Sequence, residues 1–345
     1  MSVFSGFDIE GVSYALIGAI ILTACDSSTT ANIDPNDAFP SGVGQLSFAP
    51  VDSIGEIVPL GHIAPFSHTL PTDHIYFYYR KTRGVRCPCS AAPAQQVRAP
   101  GPGTVIHILH PSGNDDKVTV QMTKTTYYYL DHVLLLPNVV VGTKITAGQI
   151  IANTPPNALS LDLGYINYDF SQQFVAPVRY GPFTVHADAP LKYYAEPVRS
   201  KLYSLVLRPA GETELDGRIN FDVAGRLAGN WFHETLANTE GSAGTQDGWI
   251  KSLTFAYDEY DPKLPRVAWG GVIGPANQYA FELTDPRPAD VTPASGVVHY
   301  HLYTLDSITG FKSPAGELVV QMISADQIKV ELGSQFTTNA QIYKR

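Results

Sequence analysis

Apolar and polar residues alternate along much of this chain with the period of a strand that buries one face. The segments 104–109 (TVIHIL) and 117–123 (KVTVQMT) show it plainly. Segment 74–79 (HIYFYY) is dense in aromatics, and 125–136 is a long Tyr/Leu run. Both predict strands, because aromatic side chains pack well on a pleated surface. In 138–152 (NVVVGTKITAGQIIA), two glycine-marked turns flank short apolar runs. Beyond residue 216, eight short runs predict strands at 217–223, 226–232, 249–257, 266–272, 278–283, 296–304, 317–323 and 327–332. The last two flank Ser324-Ala325-Asp326, a hairpin with a three-residue turn. No segment holds a helical period beyond about ten residues, and 26 Pro with 29 Gly break long helices. The chain is expected to be mainly β: an N-terminal antiparallel β domain, then a C-terminal antiparallel β-barrel or sandwich.

Composition then divides the chain. Only 16% of residues are charged, which excludes a polyelectrolyte or a long coiled coil. The net charge of −9 argues against a nucleic-acid partner, which requires a basic stripe. Eight acids precede the first basic residue, Arg80, and from there 23 basic residues face 24 acidic ones, so the acidity belongs to the leader. Within the leader, 12–24 (VSYALIGAIILTA) is too short to span a membrane but matches a signal-peptide core. It ends in Leu22-Thr23-Ala24-Cys25, which resembles the lipobox of bacterial lipoproteins. That resemblance implies a membrane anchor through lipidated Cys25, with Asp26 directing the protein to the inner membrane and the folded part on the periplasmic side of the cell envelope. Residues 1–10 (MSVFSGFDIE) carry two acids and no Lys or Arg, unlike an ordinary signal peptide. The expected organisation is a signal segment over 1–25, a linker over 26–55, a β domain over 56–200, a bridge over 201–215 and a second β domain over 216–345. Cys87-Pro88-Cys89 reads as a local disulfide or a pair of free thiols rather than a redox centre.

Three elements of the first domain carry a further resemblance. Val97-Arg-Ala-Pro-Gly-Pro-Gly-Thr-Val105 resembles the strand-turn-strand of the lysostaphin/LytM-like zinc endopeptidases, the duplicated hybrid motif fold. Tyr129-Leu-Asp-His132 is similar to that family's Tyr-x-His element with one extra residue. Residues 141–151 (VGTKITAGQII) resemble its glycine hairpin, which biotinyl- and lipoyl-type barrels share. The resemblance covers roughly residues 56–170 and implies a zinc site. Its ligands are a His, an Asp four residues on, and the second His of a His-x-His strand, with a further His assisting the attack of a metal-activated water.

Carried over residue by residue, the resemblance makes His68 and Asp73 metal ligands, although five residues separate them. It makes His132 the catalytic histidine. The His-x-His strand corresponds to Ser160-Leu161-Asp162-Leu163. In one register both imidazoles are replaced by Leu161 and Leu163; in the other, Asp162 is an oxygen ligand, since residues two apart share a strand face. His62 and His74 flank the site as alternatives to His68. His107, His110 and His186 read as structural or solvated, and His299-Tyr-His301 as a pair on a sheet surface. Gly229-Asn-Trp231 resembles the Gly-x-Trp of lipocalin-like barrels, where the Trp plugs a barrel end.

Three functions follow. The first is a lipid-anchored envelope protein whose degenerate, non-catalytic domain binds peptidoglycan or an envelope protein and holds no zinc. The second is an active zinc endopeptidase using His68, Asp73, Asp162 and His132. The third is a carrier with a small apolar ligand in the C-terminal barrel.

Overall fold

The computed structural model describes residues 27–30, 39–81, 93–112, 115–156, 158–305 and 312–345. Cys25, Asp26, Cys87 and Cys89, and with them the signal segment and the Cys-Pro-Cys element, lie outside the described residues. The strands of the first unit are β1 (Ser27–Thr30), β2 (Glu56–Val58), β3 (Ile75–Tyr78), β4 (Gln96–Arg98), β5 (Gly103–Ser112), β6 (Asp115–Gln121), β7 (Thr126–Leu135), β8 (Lys144–Ile145), β9 (Ile150–Asn153), β10 (Ser160–Asn167) and β11 (Ala187–Asp188). They form one antiparallel sheet with the path β1-β5-β6-β7-β10-β3-β2, and the pieces β4, β8, β9 and β11 attach at its margins.

Strand β10 shows why the residues arrange this way. Leu161, Leu163 and Tyr165 alternate onto one face and are fully buried in the core with Phe77, Tyr128 and Leu130. Asp162 and Gly164 therefore fall on the other face. Gly164 lies opposite Tyr129, and a Cβ there would stand 2.1 Å from the tyrosine ring, so only glycine lets that ring lie across the sheet.

The second unit is a closed barrel of β12 (Gly229–His233), β13 (Ser252–Tyr257), β14 (Pro265–Trp269), β15 (Asn277–Phe281), β16 (Val297–Leu305), β17 (Lys312–Ser324), β18 (Gln327–Leu332) and β19 (Gln341–Lys344). Trp231, Phe255, Trp269, Phe281, Tyr300, Met322 and Tyr343 fill its interior. The Arg345 guanidinium lies 3.9 Å over the Trp231 ring and donates to the carbonyls of Val223, Arg226, Leu227, Ala228 and Asn230. Phe232, one residue on from Trp231, points outward into the core of the first unit under Arg179. The barrel is thus docked on the sheet, and Thr69 Oγ1 to the Trp249 carbonyl (2.8 Å) and Gln278 Nε2 to the Ile63 carbonyl (2.7 Å) add polar contacts.

The mainly β expectation holds: among the described residues the α-helices are α1 (Pro182–Val185), α2 (Val198–Tyr203) and α3 (Gln246–Lys251). Three expectations are corrected. Segment 217–223 is not a strand, because the Asn220 side chain turns the backbone by accepting from Asp222 N–H, and Asp222 then accepts from Asn230 N–H and Val175 N–H. Trp249 starts no strand, because Thr245 caps α3 by accepting from Gly248 N–H. The 317–332 hairpin turns on two residues, since Ser324 pairs with Gln327.

Candidate functional site

Asp73 is the most heavily committed side chain of the site. Its Oδ1 accepts from Tyr129 OH at 2.9 Å and lies 3.1 Å from His74 Nδ1, while its Oδ2 accepts from Thr184 Oγ1 at 2.5 Å. Burial would raise its pKa, but His74, Thr184 and Lys117 outweigh burial and hold the carboxyl well below the usual range. His74 continues the arrangement. Its Nε2 is 2.9 Å from Tyr76 OH and 3.4 Å from Asp162 Oδ2. Asp162 sits opposite both Tyr76 and Asp131 in the sheet, is buried, and has its Oδ1 without a hydrogen-bond partner among the described residues. Burial pushes its pKa up against the pull of His74 and His132. Its Oδ2 is 3.5 Å from His132 Nε2, and His132 Nδ1 is 3.1 Å from Asp115 Oδ1. Carboxylates and imidazoles therefore alternate from Asp73 through His74, Asp162 and His132 to Asp115.

The extra residue in Tyr129-Leu-Asp-His132 has a structural explanation. Leu130 pairs with Val118 and Val133 with Asp116, so Asp131 and His132 together oppose Lys117. This is a β-bulge, which absorbs one additional residue and re-aims the side chains beside it. His132 takes the left-handed backbone, φ 60°, uncommon outside glycine. Its backbone N–H donates to Asp131 Oδ1 at 3.0 Å. The hydrogen bond with Asp115, opposed by burial and helped by Asp162 and Asp131, raises its pKa to about 9. Lys117 pairs with Asp131 Oδ2 at 3.0 Å and lies 3.8 Å over the Tyr129 ring.

His68 stands apart from this line. Its ring packs edge-on to His74 with centroids 5.7 Å apart, and burial, with the nearby His74, lowers its pKa to about 4. His68, Asp73 and His74 line a cavity of about 150 Å³ whose far wall, Ala243, Gly244 and Trp249, comes from the barrel unit. His132 is not in that wall; Asp162 connects it to His74. His62 turns to the barrel unit, 3.4 Å from Glu259 Oε1. His299 and His301 are exposed on a strand of the barrel, beside Glu317 and Asp285.

These residues do not fit a zinc ion in the way the resemblance implies. Tetrahedral zinc holds its ligand atoms at 2.0–2.3 Å, hence within about 4 Å of one another. Among the described residues the one His/Cys/Asp/Glu group whose ligand atoms all lie within 4.8 Å of one another is Asp115, Asp131 and His132. His68, Asp73 and Asp162 form no such group. Asp73 already accepts from three side chains, and Leu161 and Leu163 point into the core. The sequence offered His74 as an alternative ligand, and the one available signal of its central place was a histidine directly following the acid and directly preceding β3, where Tyr76 pairs with Asp162.

No protein-family model and no curated protein matches the chain. Solved structures do. A zinc-containing peptidase from Vibrio cholerae aligns at 16% identity over 38% of this chain and 37% of its own, TM-score 0.26. Csd3 from Helicobacter pylori aligns at 15% over 36% of this chain, TM-score 0.26, and the match spans about a third (31%) of its length. Lysostaphin aligns at 10% identity over 89% of this chain and 87% of its own, TM-score 0.24. At such scores the likeness decides nothing about chemistry.

Proposed function

We propose that this chain is a lipid-anchored cell-envelope protein whose first unit, residues 56–200, is an endopeptidase-like β domain that binds its target without cleaving it. The barrel, residues 216–345, walls the binding cleft from the other side. One observation carries this reading: Asp73, the acid a zinc site would need, is committed to Tyr129, His74 and Thr184, while leucines occupy the core-facing positions of the strand that would supply imidazoles. Three donors take up three of the roughly four lone-pair sites of that carboxylate and fix its orientation toward protein groups, and with no imidazole at Leu161 or Leu163 an open, water-activating metal lacks its full ligand set. The target is peptidoglycan or an envelope protein, and the anchor is Cys25.

Elemental analysis and a cleavage assay test the reading together. Purified protein is expected to contain less than one zinc per chain, to sediment with insoluble peptidoglycan or a crosslinked envelope protein, and to release no peptide from peptidoglycan. Stoichiometric zinc with cleavage lost in Asp73→Ala would establish the endopeptidase instead. The Cys25→Ser variant is expected to move to the soluble fraction or to stay uncleaved.

A second reading has one observation in its favour. At one end of the barrel, Tyr257, Pro265, Phe281, Leu283 and Arg287 line a groove of about 480 Å³, within the size range of small-molecule sites. Since side chains fill the barrel itself, a small apolar ligand would be carried in this groove and not in the interior.

A further inference from the structure

The bulge at Asp131-His132 gathers a donor set of which the resemblance uses His132 alone, as a catalytic residue and not a ligand, and the proposed function none. Asp115, Asp131 and His132 each offer a ligand atom, all within 4.8 Å of one another. They come from β6 and β7 and meet because two residues of β7 oppose one of β6. A second observation points to the same corner. Asp162, directly across the ladder from Asp131, is only 2% exposed, and its Oδ1 has no hydrogen-bond partner among the described residues. Its Oδ2 lies 3.5 Å from His132 Nε2. A metal-bound histidine characteristically gives its other ring N–H to a carboxylate, which fixes the tautomer and the ring plane. With Asp162 on the Nε2 side, the Nδ1 of His132 is the nitrogen left facing Asp115.

We propose that Asp115, Asp131 and His132 Nδ1 bind one divalent cation, with Asp162 orienting the imidazole. The donor atoms bound the ion class. Carboxylate oxygens suit Mg²⁺, Ca²⁺ and Mn²⁺, while imidazole suits the transition metals, so two carboxylates and one imidazole fit a divalent cation that takes both donor types, for which Mn²⁺ serves as the paramagnetic probe. The resident cation is Lys117, 3.0 Å from Asp131 Oδ2; its ammonium also reaches the Tyr129 ring and so has a second contact when the metal displaces it. The site lies across β6, β7 and β10, and its ion would pin the bulge. None of its three ligands lines the His68–Asp73 cavity, although His132 and Asp162 also belong to the zinc endopeptidase reading, so the His68→Ala variant separates the two sites.

The test uses metal-stripped full chain titrated with Mn²⁺, with free ion followed by its electron paramagnetic resonance signal. One Mn²⁺ per chain is expected, with a rise in melting temperature on binding. Asp115→Asn and Asp131→Asn should each weaken binding at least tenfold, with circular dichroism confirming the fold. Asp162→Asn should weaken it about 10–100-fold, as loss of an orienting partner does. Lys117→Met removes the competitor and should tighten binding several-fold, and it keeps the test open if the acid variants misfold. His68→Ala should bind as the wild type does. No uptake at millimolar Mn²⁺ would reduce the cluster to an ion-pair network and overturn the proposal. So would binding unchanged in Lys117→Met, or lost in His68→Ala.

Discussion

Two side chains of the cleft respond to acid for different reasons. Burial holds the His68 imidazole at a pKa of about 4, below the unfolded value near 6.5. Over that interval the unfolded chain takes up a proton that the folded chain refuses, so stability falls as pH drops from about 6.5 to about 4, by at most about 1.4 kcal/mol per pH unit. Asp73, whose pKa is held low, contributes stability that is present above its unfolded value and lost at still lower pH. Between pH 7.5 and 5.5 the raised pKa of His132 adds stability and offsets this loss, so urea midpoints are expected to decline in the wild type from pH 5.5 to 4.5, and less in His68→Gln; parallel curves would mean that His68 is not the buried base. Asp73→Ala strands the hydroxyls of Tyr129 and Thr184 and should cost about 2–4 kcal/mol. Asp73→Asn keeps an acceptor and should cost less, and denaturant melts of the two variants compare them.

Register decides the site at the scale of elements. Strand β10 reads Ser-Leu-Asp-Leu-Gly, and alternation alone limits it to two orientations. The core selects the one with Leu161 and Leu163 inside, which presents Asp162 to the histidines. Gly164 makes that face accessible to Tyr129. Gly164→Ala should cost about 1–3 kcal/mol through overpacking, and in a Tyr129→Ala background less than half of that, which a double-mutant cycle by chemical denaturation measures. Much of this level was legible in the sequence. The aromatic and alternating runs became β3, β5, β6 and β7, because local pattern and burial agree there. The bulge was visible only as an extra residue before His132, since a two-against-one pairing depends on a partner strand that no local pattern identifies. Segment 217–223 misled for the opposite reason: its pattern is strand-like, but the side chain of Asn220 competes for the backbone. Strand β19 escaped notice because four residues are too few to display a period.

Across the whole molecule, the barrel supplies one wall of the cleft and is itself fastened at Arg345. Removing that guanidinium takes a donor from five carbonyls of segment 223–230, of which Val223 keeps Arg226 N–H and Leu227 keeps Trp231 Nε1, and it uncovers Trp231. Arg345→Ala should therefore lower stability by at least about 2 kcal/mol in thermal melts, and the cleft should loosen with it, because Phe232 on the adjoining strand belongs to the core of the first unit.

Closure of the barrel has a kinetic side. Strand β19 completes the ring by pairing with β12, where His233 meets Gln341, 108 residues away in sequence. The loop between them must be ordered before that contact rewards it, so the ring seals late and folding is slow. Until then β12 and β18 are bare edges, each offering unpaired N–H and C=O groups to a neighbouring chain. Chains stopped after residue 340 would hold that state permanently. They are expected to self-associate strand to strand, scattering light at concentrations where the full chain stays clear.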